Sequence, residues 1–196
     1  MGTKFYLLLI LFFIFISCES ESERRQRLEM ERQALIEEEI KVEKEKQEKA
    51  IYEKYVNNSL ENGTTPYEYC YGKNNGCSNN GCSQIKVTSP INSDVIVTIK
   101  RDNETYRHAY IQSGSSFTFD IPNGSYQPFF YYGTGWNPEK FMKASECGEI
   151  KGGFVSNEAF GKDSPQTLNN QILEYTLILQ HDGNFKTQPS NAEEAF

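Results

Sequence analysis

Residues 21–56 contain neither glycine nor proline, whereas from Gln84 onward apolar side chains recur at every second position. A chain that changes its hydrophobic period this sharply has to fold as two unlike parts. The first part is rich in Glu, Lys, Arg, Gln and Ala, and it carries eleven Glu against nine Lys and Arg. Glu21/Arg25, Glu23/Arg27, Glu37/Lys41 and Glu45/Lys49 stand four apart with the acid leading, the spacing that supports a helix on its solvent face. Leu28, Leu35 and Val42 fall seven apart, but Glu31, Glu38 and Glu45 occupy the matching second seam, so a stable coiled coil is not specified. Two readings of this helix follow: a solvated spacer, or a stalk that self-associates into a homo-oligomer.

In the second part, Ile85 and Val87 open a strand, and Val95, Val97 and Ile99 alternate with Thr98 and Lys100. Tyr106, His108 and Tyr110 alternate in turn, Phe117, Phe119 and Ile121 share a face, and Leu173, Tyr175, Leu177 and Leu179 form a later strand before the His181-Asp182-Gly183-Asn184 turn. Pro122-Asn123-Gly124 has the chemistry of a hairpin turn, and Pro128 places 125–132 at an edge or a bulge. Short strands at close spacing, joined by Gly, Pro and Asn, specify a mainly β fold: an antiparallel β-sandwich preceded by a long charged α-helix. About 130 residues follow Gly63, enough for one domain with its own core. The stretch 95–132, with its Ile121-Pro122-Asn123-Gly124-Ser125-Tyr126 turn, resembles the transthyretin-like or carboxypeptidase-regulatory-like modules of bacterial surface proteins. That resemblance implies a seven-stranded sandwich that binds, spaces or displays and seldom catalyses.

The N-terminus has a basic Lys4, an apolar run from Phe5 to Ile16, then Ser17, Cys18 and an acidic stretch. The run would span about 18 Å as a helix, short of the roughly 30 Å hydrocarbon core. This layout resembles a bacterial lipoprotein signal with Phe15-Ile16-Ser17-Cys18 as a relaxed lipobox. The resemblance implies cleavage before Cys18, lipid attachment at Cys18, and a membrane-anchored protein of the cell envelope, with the outer membrane as its expected site; an uncleaved transmembrane signal anchor is the alternative. The expected order is a signal at 1–17, an acidic tether at 18–23, a helical stalk at 24–57, a linker at 58–69 and a domain at 70–196. Asn57, Asn62, Asn103 and Asn123 begin Asn-x-Ser/Thr triplets, which in a chain with a bacterial-type signal are chance matches in Asn-rich turns.

With Cys18 set aside, Cys70, Cys77, Cys82 and Cys147 remain. An even number in an exported chain reads as two disulfides, with three connectivities open; the gaps between them lack the short ligand spacing of a zinc knuckle. The charge excludes a nucleic-acid surface, since 64–196 carries fourteen acids against ten bases. No nucleophile-and-base motif, phosphate loop or metal motif occurs, and Asp120, Glu139, Glu146 and Glu149 have no spacing that pairs them for glycoside hydrolysis. An enzyme, a polymer hydrolase, is therefore the third reading, and no cofactor or metal is implied. The densest chemical feature is the aromatic run 129–136, in which Phe130, Tyr132 and Trp136 would form a platform for a glycan or an envelope-protein ligand if their face is open. If both faces of that strand are covered, the same residues are core.

Overall fold

The computed structural model describes residues 20–78, 81–178 and 188–196. The expected signal at 1–17, Cys18 and the His181 turn lie outside the described residues. Two compact units divide at Lys49/Ala50, inside the first helix. Helix α1 runs Glu21–Tyr55, and every residue of it before Tyr55 is exposed. Its start is a capping box: the Ser20 hydroxyl accepts from the Glu23 amide, and the Glu23 carboxylate accepts from the Ser20 amide. Ion pairs Glu21–Arg25 at 2.7 Å, Lys41–Glu45 and Lys44–Glu48 lie along it at i,i+4. Among the described residues no helix is long and apolar enough to cross a membrane.

The second unit is mainly β, with β1 Cys82–Thr88, β2 Asp94–Arg101, β3 Glu104–Ile111, β4 Ser116–Pro122, β5 Gly124–Ala144, β6 Gly148–Lys162, β7 Gln166–Leu168, β8 Ile172–Thr176 and β9 Gln188–Pro189. A three-stranded sheet has the order β4-β1-β8, and a larger one the order β3-β2-β5-β6-β9, with β7 paired to the start of β5. The pairing is antiparallel except between β1 and β8, where Ile85 lies opposite Leu173 in parallel register. The long connection between these two strands makes parallel pairing reachable. The expected hairpin at Pro122-Asn123-Gly124 is corrected: β4 pairs with β1 and β5 with β2, so this turn passes the chain from one sheet to the other. The Asn123 side chain braces the crossing by accepting from the Ser83 hydroxyl and donating to Asn169 and Asn170.

Ile85, Val87, Phe119 and Ile121 of the small sheet face Val95, Val97, Ile99, Ala109, Ile111 and Phe130 of the large one, and this is the sandwich core. The large sheet is buried on its other face as well. Ile96, Tyr110, Phe129, Tyr131, Trp136 and Phe154 form a second cluster, closed by Tyr67 and by Phe196 at the end of helix α3, Ala192–Ala195. Thr98 and Lys100 therefore sit under cover, although alternation alone assigns them to solvent. Lys100 lies 3.6 Å from the Glu146 carboxylate and 5.5 Å from the Phe129 ring; burial lowers its pKa, and Glu146 opposes the shift.

The cover over this second face comes from the segment expected to be a linker. Gly63 donates to the Tyr110 carbonyl at 2.8 Å, and Tyr110 donates to the Thr64 carbonyl at 2.7 Å, so residues 63–64 are bonded to the outer edge of β3. Farther along the same edge the Asn74 carboxamide donates to the His108 carbonyl and accepts from its amide. A free sheet edge is thereby closed by backbone and a strand-mimicking side chain. Helix α2, Glu68–Tyr71, puts Tyr67 and Tyr71 inward, with Tyr67 fully buried and its hydroxyl donating to the Gly152 carbonyl. The boundary at residue 70 is corrected accordingly: the compact unit begins at Ala50.

All four expected cysteines are paired, as Cys70–Cys147 and Cys77–Cys82. The first bond fastens the covering segment to the turn between β5 and β6, and the second closes a short loop at the start of β1. Replacing Cys70 and Cys147 with Ser is expected to lower the unfolding free energy by about 2–4 kcal/mol, roughly 2 kcal/mol more than replacing the other pair, since the sequence separations are 77 and 5. Urea unfolding of the two double variants measures the difference; equal losses would contradict it.

Candidate functional site

The aromatic run lies entirely in β5, and alternation sends its members to the two faces of a sheet that is covered on both. Phe130 and Tyr132 are 0% and 6% exposed in the sandwich core, and Trp136 is 3% exposed in the second cluster against Tyr67, Tyr110 and Phe154. The platform expected at these three residues is corrected: they are core side chains. Gly135, on the same strand, has a steric part. At φ +72° it sits where a Cβ would lie 2.7 Å from the Tyr55 carbonyl oxygen, so its lack of a side chain lets the end of α1 rest on β5.

That junction is fixed by several bonds. Trp136 donates to the Asn58 carbonyl at 2.8 Å, and the Asn58 carboxamide donates to the Trp136 carbonyl at 2.7 Å. The Tyr55 hydroxyl donates to Glu139 at 2.7 Å, with Lys54 at 3.4 Å from the same oxygen. The Tyr55 hydroxyl first, and then Lys54, hold the Glu139 carboxyl below its ordinary range.

Beside the junction is an open cleft of about 430 Å³, lined by Asn57, Ser59, Asn92, Asp94, Gln112 and Thr134 among others. Asp94 is the carboxylate in its lining. One carboxylate oxygen accepts from the Ser113 amide at 2.8 Å, and the other accepts from the Tyr110 and Ser59 hydroxyls. Burial, followed by the bond to Asp94, raises the Tyr110 hydroxyl far above its ordinary pKa, so it stays a donor. No Lys, Arg or His is in the lining, which favours neutral polar ligands over anions.

Two aromatic side chains that the sequence reading did not single out are exposed. Tyr69 is 64% and Phe141 60% exposed, and the two are linked through Lys151. The Lys151 amide donates to the Tyr69 hydroxyl at 2.7 Å, and its ammonium lies 5.8 Å from the Phe141 ring centre. A register shift between Asn137 and Phe141 aims Phe141 outward. The signal for Tyr69 was present: in a helical turn Tyr67 and Tyr71 share one side and Tyr69 takes the other, but the segment lacks the length that marks a helix.

His108 is not placed to act as a base. His108 is fully buried, its Nε2 accepts from the Tyr67 amide at 3.1 Å, and its ring stacks on Tyr67. Burial lowers its pKa to about 4, against the opposing pull of the Thr65 backbone and Glu68. His181 lies outside the described residues. Among the described residues no three His, Cys, Asp or Glu side chains stand close enough to hold a metal ion. Comparison of the chain with models of known families, with curated proteins and with solved structures gave no match.

Two outcomes follow. Trp136→Ala is expected to cost about 3–5 kcal/mol of stability through the cavity it leaves, whereas Phe141→Ala and Tyr69→Ala should each stay within about 0.5 kcal/mol of the parent. Denaturant midpoints test this, and comparable losses for Trp136 and Phe141 would contradict it. The second outcome concerns His108. Since its folded pKa is about 4 and the unfolded value is about 6.5, the unfolded chain takes up a proton first as the pH falls. Its contribution is complete above about pH 6.5 and is lost toward pH 4, by about 3 kcal/mol at most. Unfolding free energies measured across that range should show this slope, and His108→Gln should remove it.

Proposed function

We propose that this chain is a lipid-anchored protein of the bacterial cell envelope whose β-sandwich is a non-catalytic binding module carried on a helical spacer. The observation that carries the reading is α1 itself: 35 residues, about 50 Å of helix, with side chains exposed until the turn that docks on the large sheet. A helix that buries nothing along most of its length contributes distance rather than core. Its last turn belongs to the same compact unit as the sheet and is fixed there through Tyr55, Asn58 and Gly135. The anchor is Cys18, behind the short apolar run. The polar cleft and the Tyr69–Phe141 pair are the surfaces on which a glycan or an envelope-protein ligand would be met.

A second reading, self-association of α1, is favoured by one observation. Leu28, Met30, Leu35, Ile36, Ile40 and Val42 are all exposed on a helix that otherwise presents charge. In that reading the domain caps a helical assembly, and sedimentation of the full-length protein distinguishes a monomer from an oligomer.

Cys18→Ser is expected to abolish labelling by a palmitate analogue and to leave an uncleaved precursor. Undiminished labelling of the variant would remove the anchor from this account.

A further inference from the structure

We infer that the cleft beside the end of α1 is a binding site for an uncharged, hydroxyl-rich ligand, a saccharide ring; this deepens the binding-module reading and rests on it. Of the amides that line the cleft, Asn58 is committed to the Trp136 backbone. Asn57, Asn92 and Gln112 are not: among the described residues their carboxamides make no hydrogen bond, yet all three border the same space. Each presents a donor and an acceptor in one plane, the pair that neighbouring hydroxyl groups require. Such groups on a folded surface are solvated when the cleft is empty and exchange water for ligand at little net cost.

The carboxylate in the lining points the same way. Asp94 already accepts from the Ser113 amide and from the Ser59 and Tyr110 hydroxyls, which fixes it in place and leaves it limited accepting capacity for a hydroxyl donor. Its negative charge, unaccompanied by any cation in the lining, disfavours a carboxylate, sulfate or phosphate ligand. A divalent cation calls for six to eight oxygen ligands, commonly from several carboxylates, and here the one carboxylate is engaged. Val56 is the one large aliphatic side chain in the lining, too little apolar wall for a hydrophobic ligand. At about 430 Å³ the cleft lies within the range of small-ligand sites.

The test is a titration of the full-length, detergent-solubilised protein with maltotriose, cellotriose and N,N′,N″-triacetylchitotriose, and with trigalacturonate as the acidic counterpart, followed by NMR of the backbone amides and of the Asn and Gln side-chain amides. At least one neutral trisaccharide is expected to shift the amides of Asn57, Asn92 and Gln112, with trigalacturonate binding more weakly. Asn92→Ala combined with Gln112→Ala should lower the affinity about tenfold or more without moving the thermal midpoint, since the two carboxamides bond the ligand and not the fold. The proposal is overturned if no neutral trisaccharide shifts these amides, if trigalacturonate binds as well as the neutral ones, or if the double variant keeps its affinity. Shifts confined to Tyr69 and Phe141 would overturn the cleft while leaving a binding module in place, and labelling at Cys18 is independent of either result.

Discussion

A sheet that is apolar on both faces has to be covered twice, and everything distinctive in this domain follows from that demand. The small sheet satisfies it on one side, through the contact of Ile85, Val87, Phe119 and Ile121 with β2, β3 and β5. On the other side Ile96, Tyr110, Phe129, Tyr131 and Trp136 would stand in water were it not for the segment after α1 and the C-terminal Phe196. Burying a large aromatic or aliphatic side chain is worth about 1.5–3 kcal/mol, so a face of this size left open would remove most of a typical domain's stability. The Cys70–Cys147 bond and the pairing of residues 63–64 with β3 hold that cover in register.

The same cover determines what the domain can present to a partner. Because the chain must cross the open face of the large sheet directly after α1, the helix ends on β5, where Gly135 gives it room. The junction and the polar cleft beside it are thus a consequence of closing the second core. Rings that would make an adhesive surface are used as packing material, while Tyr69 and Phe141 are left to solvent, brought together by the covering turn and by a register shift in β5.

Much of this architecture was legible. The Gly- and Pro-free charged stretch specifies α1, the period of two through Val95, Val97 and Ile99 and through Tyr106, His108 and Tyr110 specifies strands, and the even cysteine count specifies two disulfides. What escaped did so for physical reasons. Alternation reveals which side of a strand is wet only when one side is; β5 has no wet side over most of its length, so Phe130 and Tyr132 read equally well as platform and as core. Thr98 and Lys100 look like solvent positions because burial of a polar residue depends on a distant partner, here Glu146 and the layer formed by the covering segment. Pro122-Asn123-Gly124 turns the chain as its chemistry dictates, but a turn does not say whether the next strand pairs with the last or crosses to another sheet. The cover itself rests on Tyr67 and Phe196, separated by most of the domain and carrying no local pattern.

Amide hydrogen exchange at Gly63 and Tyr110 tests the central claim most directly, since these two amides form the bonds that join the covering segment to the large sheet. If residues 58–72 belong to the fold, both amides exchange only through global opening, with the same free energy as the amides of β2. Exchange at the rate of an unprotected loop, with β2 still fully protected, would show that the segment is a linker and that the second face is closed in some other way.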